Sequence, residues 1–271
     1  MGWTRILAPL TGAPADEQGL NAAMALAAPF DAMMAGVFAP ADAADLMPWM
    51  GEGFMGGVQM AALDSMKEAA AEGERAARGR FDALRYGRKE FSVLSSPVWA
   101  SLCMEARLCD VAVFGPDPAR GRGPLVEAFQ QILMEERRPV FVARRPIDPG
   151  APVAVAWDGG REASRAAREA VPWLKKSKEV VVLSAPAATP RSFDPVRLCD
   201  YLAVRGVKVR VERLTASGEA GPLLLEAVGK VGSDLLVAGA FGHPRFQQFI
   251  FGGATRTLMQ TDTGPSLFLS H

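Results

Sequence analysis

The residues with the most chemical potential stand near the end of the chain, in GAFGHPRFQQFIFGGAT, residues 239–255. Gly239 closes an apolar run, DLLVAG, and Gly252 and Gly253 open a stretch with helical spacing. Glycine lets a backbone approach a ligand closely. The first-turn amides of a helix have no internal partner and carry the positive end of its dipole. Strand, glycine loop and helix start, in that order, make a cradle for an anion such as a phosphate. Glycines in such a loop also serve as simple turns. Around Gly239, Gly242, Gly252 and Gly253, the residues His243, Arg245 and Arg256 are candidate phosphate contacts, and Ala254 and Thr255 belong to the helix start. The plainer reading makes His243 a loop histidine bonded to backbone, and the two arginines solvated charges.

Other chemistries find little support. Thirty basic residues balance thirty acidic ones in 271 positions, so nothing electrostatic draws the chain to nucleic acid or to an anionic membrane. His243 and His271 are the only histidines, too few for a histidine-based metal site. Neither a G-x-S-x-G elbow nor a G-x4-G-K-(S/T) loop occurs. No catalytic residue and no metal ligand is assigned. Cys103, Cys109 and Cys199 form neither a disulfide framework nor a zinc pattern, which suits a reducing cytoplasm. The start, MGWTRILAPL, does not read as a signal peptide. The apolar stretch 21–60 is interrupted by Pro29, Asp31, Pro40, Asp42 and Asp45, so no bilayer span is expected.

The elements that must position the cradle are visible through an internal repeat. RILAPLTGAPADEQGLNAAMALA near the start matches PVAVAWDGGREASRAAREAVPWL from Pro152. CDVAVFG, ending at Gly115, matches SDLLVAG, ending at Gly239, and Pro139 falls on Pro265. The proline-rich RRPIDPGAP joins the copies, which predicts domains at 1–146 and 147–271. In the second copy, strands are predicted at 153–157, 180–184, 208–213, 235–239 and 266–269. Helices are predicted at 162–174, 195–205, 221–231 and 253–261. Continuous apolar strands between amphipathic helices imply an α/β fold, two doubly wound parallel five-stranded sheets in tandem. Ligands bind such sheets where strand order reverses. An order of 3-2-1-4-5 places Asp158 and Gly239 side by side there.

The spacing Gly239-x2-Gly242-x9-Gly252, with GAFGHPRF and FGGATRTL around it, resembles the nucleotide motif of the universal stress protein family. The repeat resembles that family's tandem form, across essentially the whole chain and weakly over 40–90. The resemblance implies a flavodoxin-like, adenine-nucleotide-binding fold holding ATP or a related adenine nucleotide, with Mg²⁺ as a further candidate. It implies that Asp158 contacts the nucleoside, that Ala185 offers backbone to the adenine, and that Gly239, Gly242, Gly252 and Gly253 hold the phosphates. Gly253 stands where Ser or Thr is usual, a loss of one hydroxyl contact worth roughly 1 kcal/mol.

The first copy reads differently. Val126 and Glu127 fall where Gly252 and Gly253 stand, and Thr11 falls at Asp158. A carboxylate about 4 Å from a phosphate costs of order 4 kcal/mol at a surface-like dielectric. One nucleotide per chain, in the second domain, is therefore expected. Arg120 and Arg122 in the first copy's loop read as solvated. The methionine-rich DLMPWMGEGFMGGVQM, residues 45–60, reads as a loop folded onto its own sheet, with a lid or a contact surface as alternatives. The apolar strands after Pro139 and Pro265 would be exposed edges unless paired. The two domains are therefore expected to pack as an internal pseudo-dimer, with further association into a homodimer left open. The function expected is that of a cytoplasmic stress-response protein with a regulatory or binding role and at most slow ATP hydrolysis. The alternatives are an interaction scaffold of the same fold without nucleotide, and an adenine-nucleotide-dependent enzyme.

Overall fold

Ten short strands, most of them runs of Val, Ala, Leu and Phe buried on both faces, form one continuous sheet. The computed structural model describes residues 2–40, 56–94, 97–184, 194–215, 218–241 and 253–271, with side chains from residue 64 onward in the second of these stretches. In the first half, β1 (Arg5–Leu10), β2 (Met33–Phe38), β3 (Lys89–Val93), β4 (Val111–Phe114) and β5 (Val140–Val142) alternate with α1 (Asp16–Ala27), α2 (Gly56–Ala83), α3 (Val98–Arg107), the short α4 (Pro116–Ala119) and α5 (Val126–Met134). The second half holds β6 (Val153–Trp157), β7 (Val180–Ser184), β8 (Val209–Arg213), β9 (Leu235–Gly239) and β10 (Ser266–Ser270). Its helices are α6 (Arg161–Glu169), α7 (Val171–Leu174), α8 (Pro195–Ala203), α9 (Ala220–Val231) and α10 (Gly253–Gln260).

The strand order is β3-β2-β1-β4-β5-β10-β9-β6-β7-β8. Each half therefore has the order 3-2-1-4-5, and all pairs within a half are parallel. The halves meet at an antiparallel seam in which Leu267, Phe268 and Leu269 oppose Val142, Phe141 and Val140. These six side chains are at most 1% exposed, so neither strand behaves as an edge. Two apolar layers, one on each face, run through the seam without a break. On one face Trp3 stacks on Phe268 at 5.8 Å and on Trp173 at 6.2 Å, joining the two halves through aromatic surface.

Two helices depart from the sequence expectation. The helix over 162–174 is split into α6 and α7 around Ala170, because Pro172 has no amide to donate back to the preceding turn. The small face of α6, Ala163, Ala166, Ala167 and Ala170, lets it lie close over β9 and β10 as well as over its own strand β6. The 28-residue α2 is much longer than the strands it connects, about 42 Å against roughly 20 Å. It includes the last residues of the methionine-rich segment 45–60, whose remaining part, 45–55, lies outside the described residues.

The seam predicts a cooperative molecule. Phe268→Ala removes a fully buried ring from both halves at once and should cost about 3–5 kcal/mol in urea denaturation. Fluorescence and circular dichroism should report one shared transition. A loss below about 1 kcal/mol would show that the halves stand independently.

Candidate functional site at the switch point of the second half

β6 lies between β7 and β9, so strand order reverses beside it. Asp158 follows β6 directly and Gly239 ends β9, which places both at the carboxyl edge of the sheet on adjacent strands. Asp158 is exposed, and its Oδ1 accepts the Gly160 amide at 2.7 Å, closing the turn that starts α6. Gly253 begins α10, and no described residue stands within 4 Å of where its Cβ would be. Ala254 is half-buried, Arg256 is exposed, and Thr255 is 9% exposed. Ala185, Gly242, His243, Arg245 and Gly252 lie outside the described residues.

Gly239 has a reason to be glycine that involves no ligand. A Cβ there would collide with the Ala163 nitrogen and with the Glu162 carbonyl carbon at 2.6 Å. The first turn of α6 thus rests directly on the end of β9. Beside it, Phe241 holds a positive φ of 60° and packs near His271, whose Nδ1 lies 2.9 Å from the Ala240 carbonyl.

The corresponding place in the first half is closed by its own side chain. Gly12 and Gly159 are the second residues after β1 and β6, and both take a left-handed φ, 84° and 77°. Counted from them, Thr11 matches Asp158 and Asp16 matches Ala163. Asp16 is only 9% exposed. Its carboxylate accepts the Thr11 amide at 3.0 Å, the Thr11 hydroxyl at 3.0 Å and the Gly12 amide at 2.7 Å. Burial raises its pKa, against the pull of those donors and of Arg80. Arg80 of α2 donates to the Gly12 carbonyl at 2.8 Å, and Gly73 of α2 packs so close to Gly12 that a Cβ there would sit 2.5 Å from the Gly73 Cα. An acid in the first turn of α1, so soon after a glycine turn, is the signal in the sequence for this closure. Glu127 occupies the first turn of α5 and is exposed.

Elsewhere the chemistry is quiet. Cys103 and Cys109 are buried, and desolvation pushes both thiols up to about 11, so they stay protonated near neutral pH. Among the described residues, no cluster of three His, Cys, Asp or Glu could hold a metal ion. None of their helices is long and apolar enough to cross a membrane. One sequence reading is corrected. Arg120 is not solvated: its side chain is 14% exposed, and its guanidinium donates to the Thr261 carbonyl at 2.9 Å and pairs with Asp262 at 2.9 Å. Arg122 is exposed and pairs with Asp117 at 3.0 Å.

The fold is shared with solved structures. A universal stress protein from Archaeoglobus fulgidus superposes with a TM-score of 0.68 at 14% identity, covering 98% of this chain and 97% of its own. A putative universal stress protein from Pseudomonas aeruginosa UCBPP-PA14 gives 0.54 at 15% identity, over 99% of this chain and 93% of its own. A functionally unknown protein from Pseudomonas aeruginosa PAO1 gives 0.55 at 12% identity, over 99% and 92%. No protein-family model and no curated protein matches the chain. The chain has the universal stress protein fold along its whole length, in both halves.

Two measurements follow. Gly239→Ala forces α6 off β9 and should cost about 1–3 kcal/mol in nucleotide-free protein. A neutral result would free Gly239 for a role in ligand approach alone. Asp16 holds its proton more tightly folded than unfolded. Its stabilising contribution is therefore full below about pH 4 and is lost as pH rises through the raised folded value. Asp16→Asn should flatten that fall when denaturation free energy is followed upward from about pH 4. An unchanged slope would mean that Asp16 is not the group responsible.

Proposed function

We propose that the protein binds one adenine nucleotide, ATP, at the carboxyl edge of the second half, with a regulatory or binding role rather than a catalytic one. The carrying observation is the contrast between the two switch points. In the first half Asp16 occupies the loop amides, α2 lies against the turn, and Glu127 stands in the first turn of α5. In the second half Ala163 replaces Asp16, and α10 begins at Gly253, where a Cβ would meet no described residue within 4 Å. Asp158 would face the nucleoside and Ala185 the adenine. Gly239, Gly242, Gly252 and Gly253 would hold the phosphates together with the amides of Ala254 and Thr255, and His243, Arg245 and Arg256 would neutralise their charge. Mg²⁺ would accompany the phosphates. The two halves act as an internal pseudo-dimer through the β5–β10 seam. A cytoplasmic setting is supported by three unpaired cysteines.

A second reading, an interaction scaffold without nucleotide, is favoured by one observation. Asp158 and Gly239 already have internal explanations, in the Gly160 turn and the α6 contact. Calorimetry with ATP separates the two readings. Wild type should bind about one nucleotide per chain. Gly253→Glu adds a carboxylate at a position where a Cβ meets no described residue within 4 Å. Repulsion of order 4 kcal/mol should weaken binding roughly a thousandfold. Glu127→Gly should create no second site, because Asp16 still fills the first loop. No binding by wild type would leave the scaffold reading, and two nucleotides per chain would overturn the asymmetry.

A further inference from the structure

The first half's loop between β4 and α5 is the counterpart of the glycine loop above the second half's sheet. Because the halves run antiparallel, this loop lies beside the lower end of the second half and meets the C-terminus of α10. Arg120 of the loop donates to the Thr261 carbonyl and pairs with Asp262. Arg144, just past β5, donates through Nη1 to the Leu258 carbonyl at 2.7 Å and through Nη2 to the Met259 carbonyl at 2.7 Å. It also reaches the Pro265 carbonyl at 3.3 Å. Arg145 extends the contact to the Thr263 carbonyl at 2.7 Å and to Asp234 at 3.1 Å.

The last carbonyls of a helix have no partner of their own, and cations are favoured at that end. Here the partners come from the other half of the chain. The arrangement is not the cheapest packing available. The Nε atoms of Arg120 and Arg144 are both buried without a hydrogen-bond partner among the described residues. Burial and the neighbouring Arg120 lower the Arg144 pKa to about 10, which still leaves it charged near neutrality. The exposed Asp262 pairs with Arg120, while Arg144 meets backbone carbonyls alone among the described residues. Groups held at such a cost need a reason, and the helix they hold is the one that begins at Gly253, where a Cβ would meet no described residue within 4 Å.

We propose that the first half's loop, which holds no nucleotide, is a positioning device for the second half's phosphate-facing helix. Arg120 and Arg144 fix α10 by its C-terminus, and this presets the amides at Gly253, Ala254 and Thr255 for an anion. The proposal rests on nucleotide binding in the second half. Preorganised donors bind with less ordering cost, and coupling between two sites is reciprocal. Nucleotide at one end of α10 should therefore tighten the arginine contacts at the other, across the boundary between the halves.

The test uses the full chain, with Arg120→Met, Arg144→Met and the double variant, which keep apolar stems in place of the guanidinium groups. Hydrogen exchange without nucleotide should accelerate at residues 257–261 while the strands keep their protection. ATP affinity by calorimetry should fall about tenfold in the double variant. Saturating ATP should slow exchange at 257–261 in wild type but not in the double variant, a response that a merely structural role would not produce. Unchanged exchange at α10 overturns the clamp. Faster exchange with unchanged ATP affinity overturns the positioning role. Wild type that fails to bind ATP refutes the nucleotide reading instead, while exchange in the nucleotide-free protein still judges the clamp. Should the double variant not fold, Arg120→Met alone carries the same comparison, with a smaller shift expected.

Discussion

Everything in this molecule hangs on the antiparallel contact between β5 and β10. Six apolar residues on two short strands meet there, and both faces of the resulting seam are buried. Without it each half would expose an apolar strand with free amides and carbonyls, the kind of edge that recruits another chain. With it, two five-stranded units share one sheet and two continuous apolar layers. The antiparallel sense also decides what can touch across the boundary: the upper loops of one half reach the lower helix ends of the other. The arginine contacts on α10 and the stacking of Trp3 on Phe268 and Trp173 both follow from that single choice of direction.

The two similar halves have unlike upper edges. In the first half, Asp16 turns its carboxylate into the loop amides, and α2 leans on Gly12 through Gly73. The charge costs desolvation, and its hydrogen bonds offset only part of that cost. In the second half Ala163 stands at the matching place, and the start of α6 lies so close to β9 that a Cβ at Gly239 would meet the Ala163 nitrogen. One half fills its turn with its own carboxylate, and the other places alanine there.

Much of this was legible in the sequence, for physical reasons. Strands buried on both faces must be apolar throughout, so VAVAW, VVVLS and DLLVAG announced β6, β7 and β9 nearly to the residue. The order 3-2-1-4-5, expected of a doubly wound parallel sheet, is the one each half has. Prolines 139 and 265 pointed to the two strands that meet. Pro172 was visible, yet the break it makes in the helix was not read, because Ala and Leu keep helical spacing on both sides of it. Gly239 was legible as a glycine that must be glycine, but periodicity does not say whether a ligand or a neighbouring helix needs the space. Arg120 was misread because a basic residue in a Gly-Pro loop ordinarily faces water. Its partners, the carbonyls of another helix's end, leave no mark in side-chain patterns.

The Pro-containing link between β5 and β6 has a consequence that lies in symmetry. An assembly of two identical chains across such a seam would place every residue twice, once on each side of the axis. Whatever suited one side would be imposed on the other. Covalent fusion lifts that restriction. Counted from the matched prolines, Arg144 in the first half stands where Ser270 stands in the second, and the two have gone separate ways. Arg144 grips the end of α10, while Ser270 donates its hydroxyl to Glu169 at 2.6 Å. A symmetric pair would have to bury an arginine on both flanks of the axis or on neither. A single chain can hold one, and so can divide its labour between a half that braces and a half that receives.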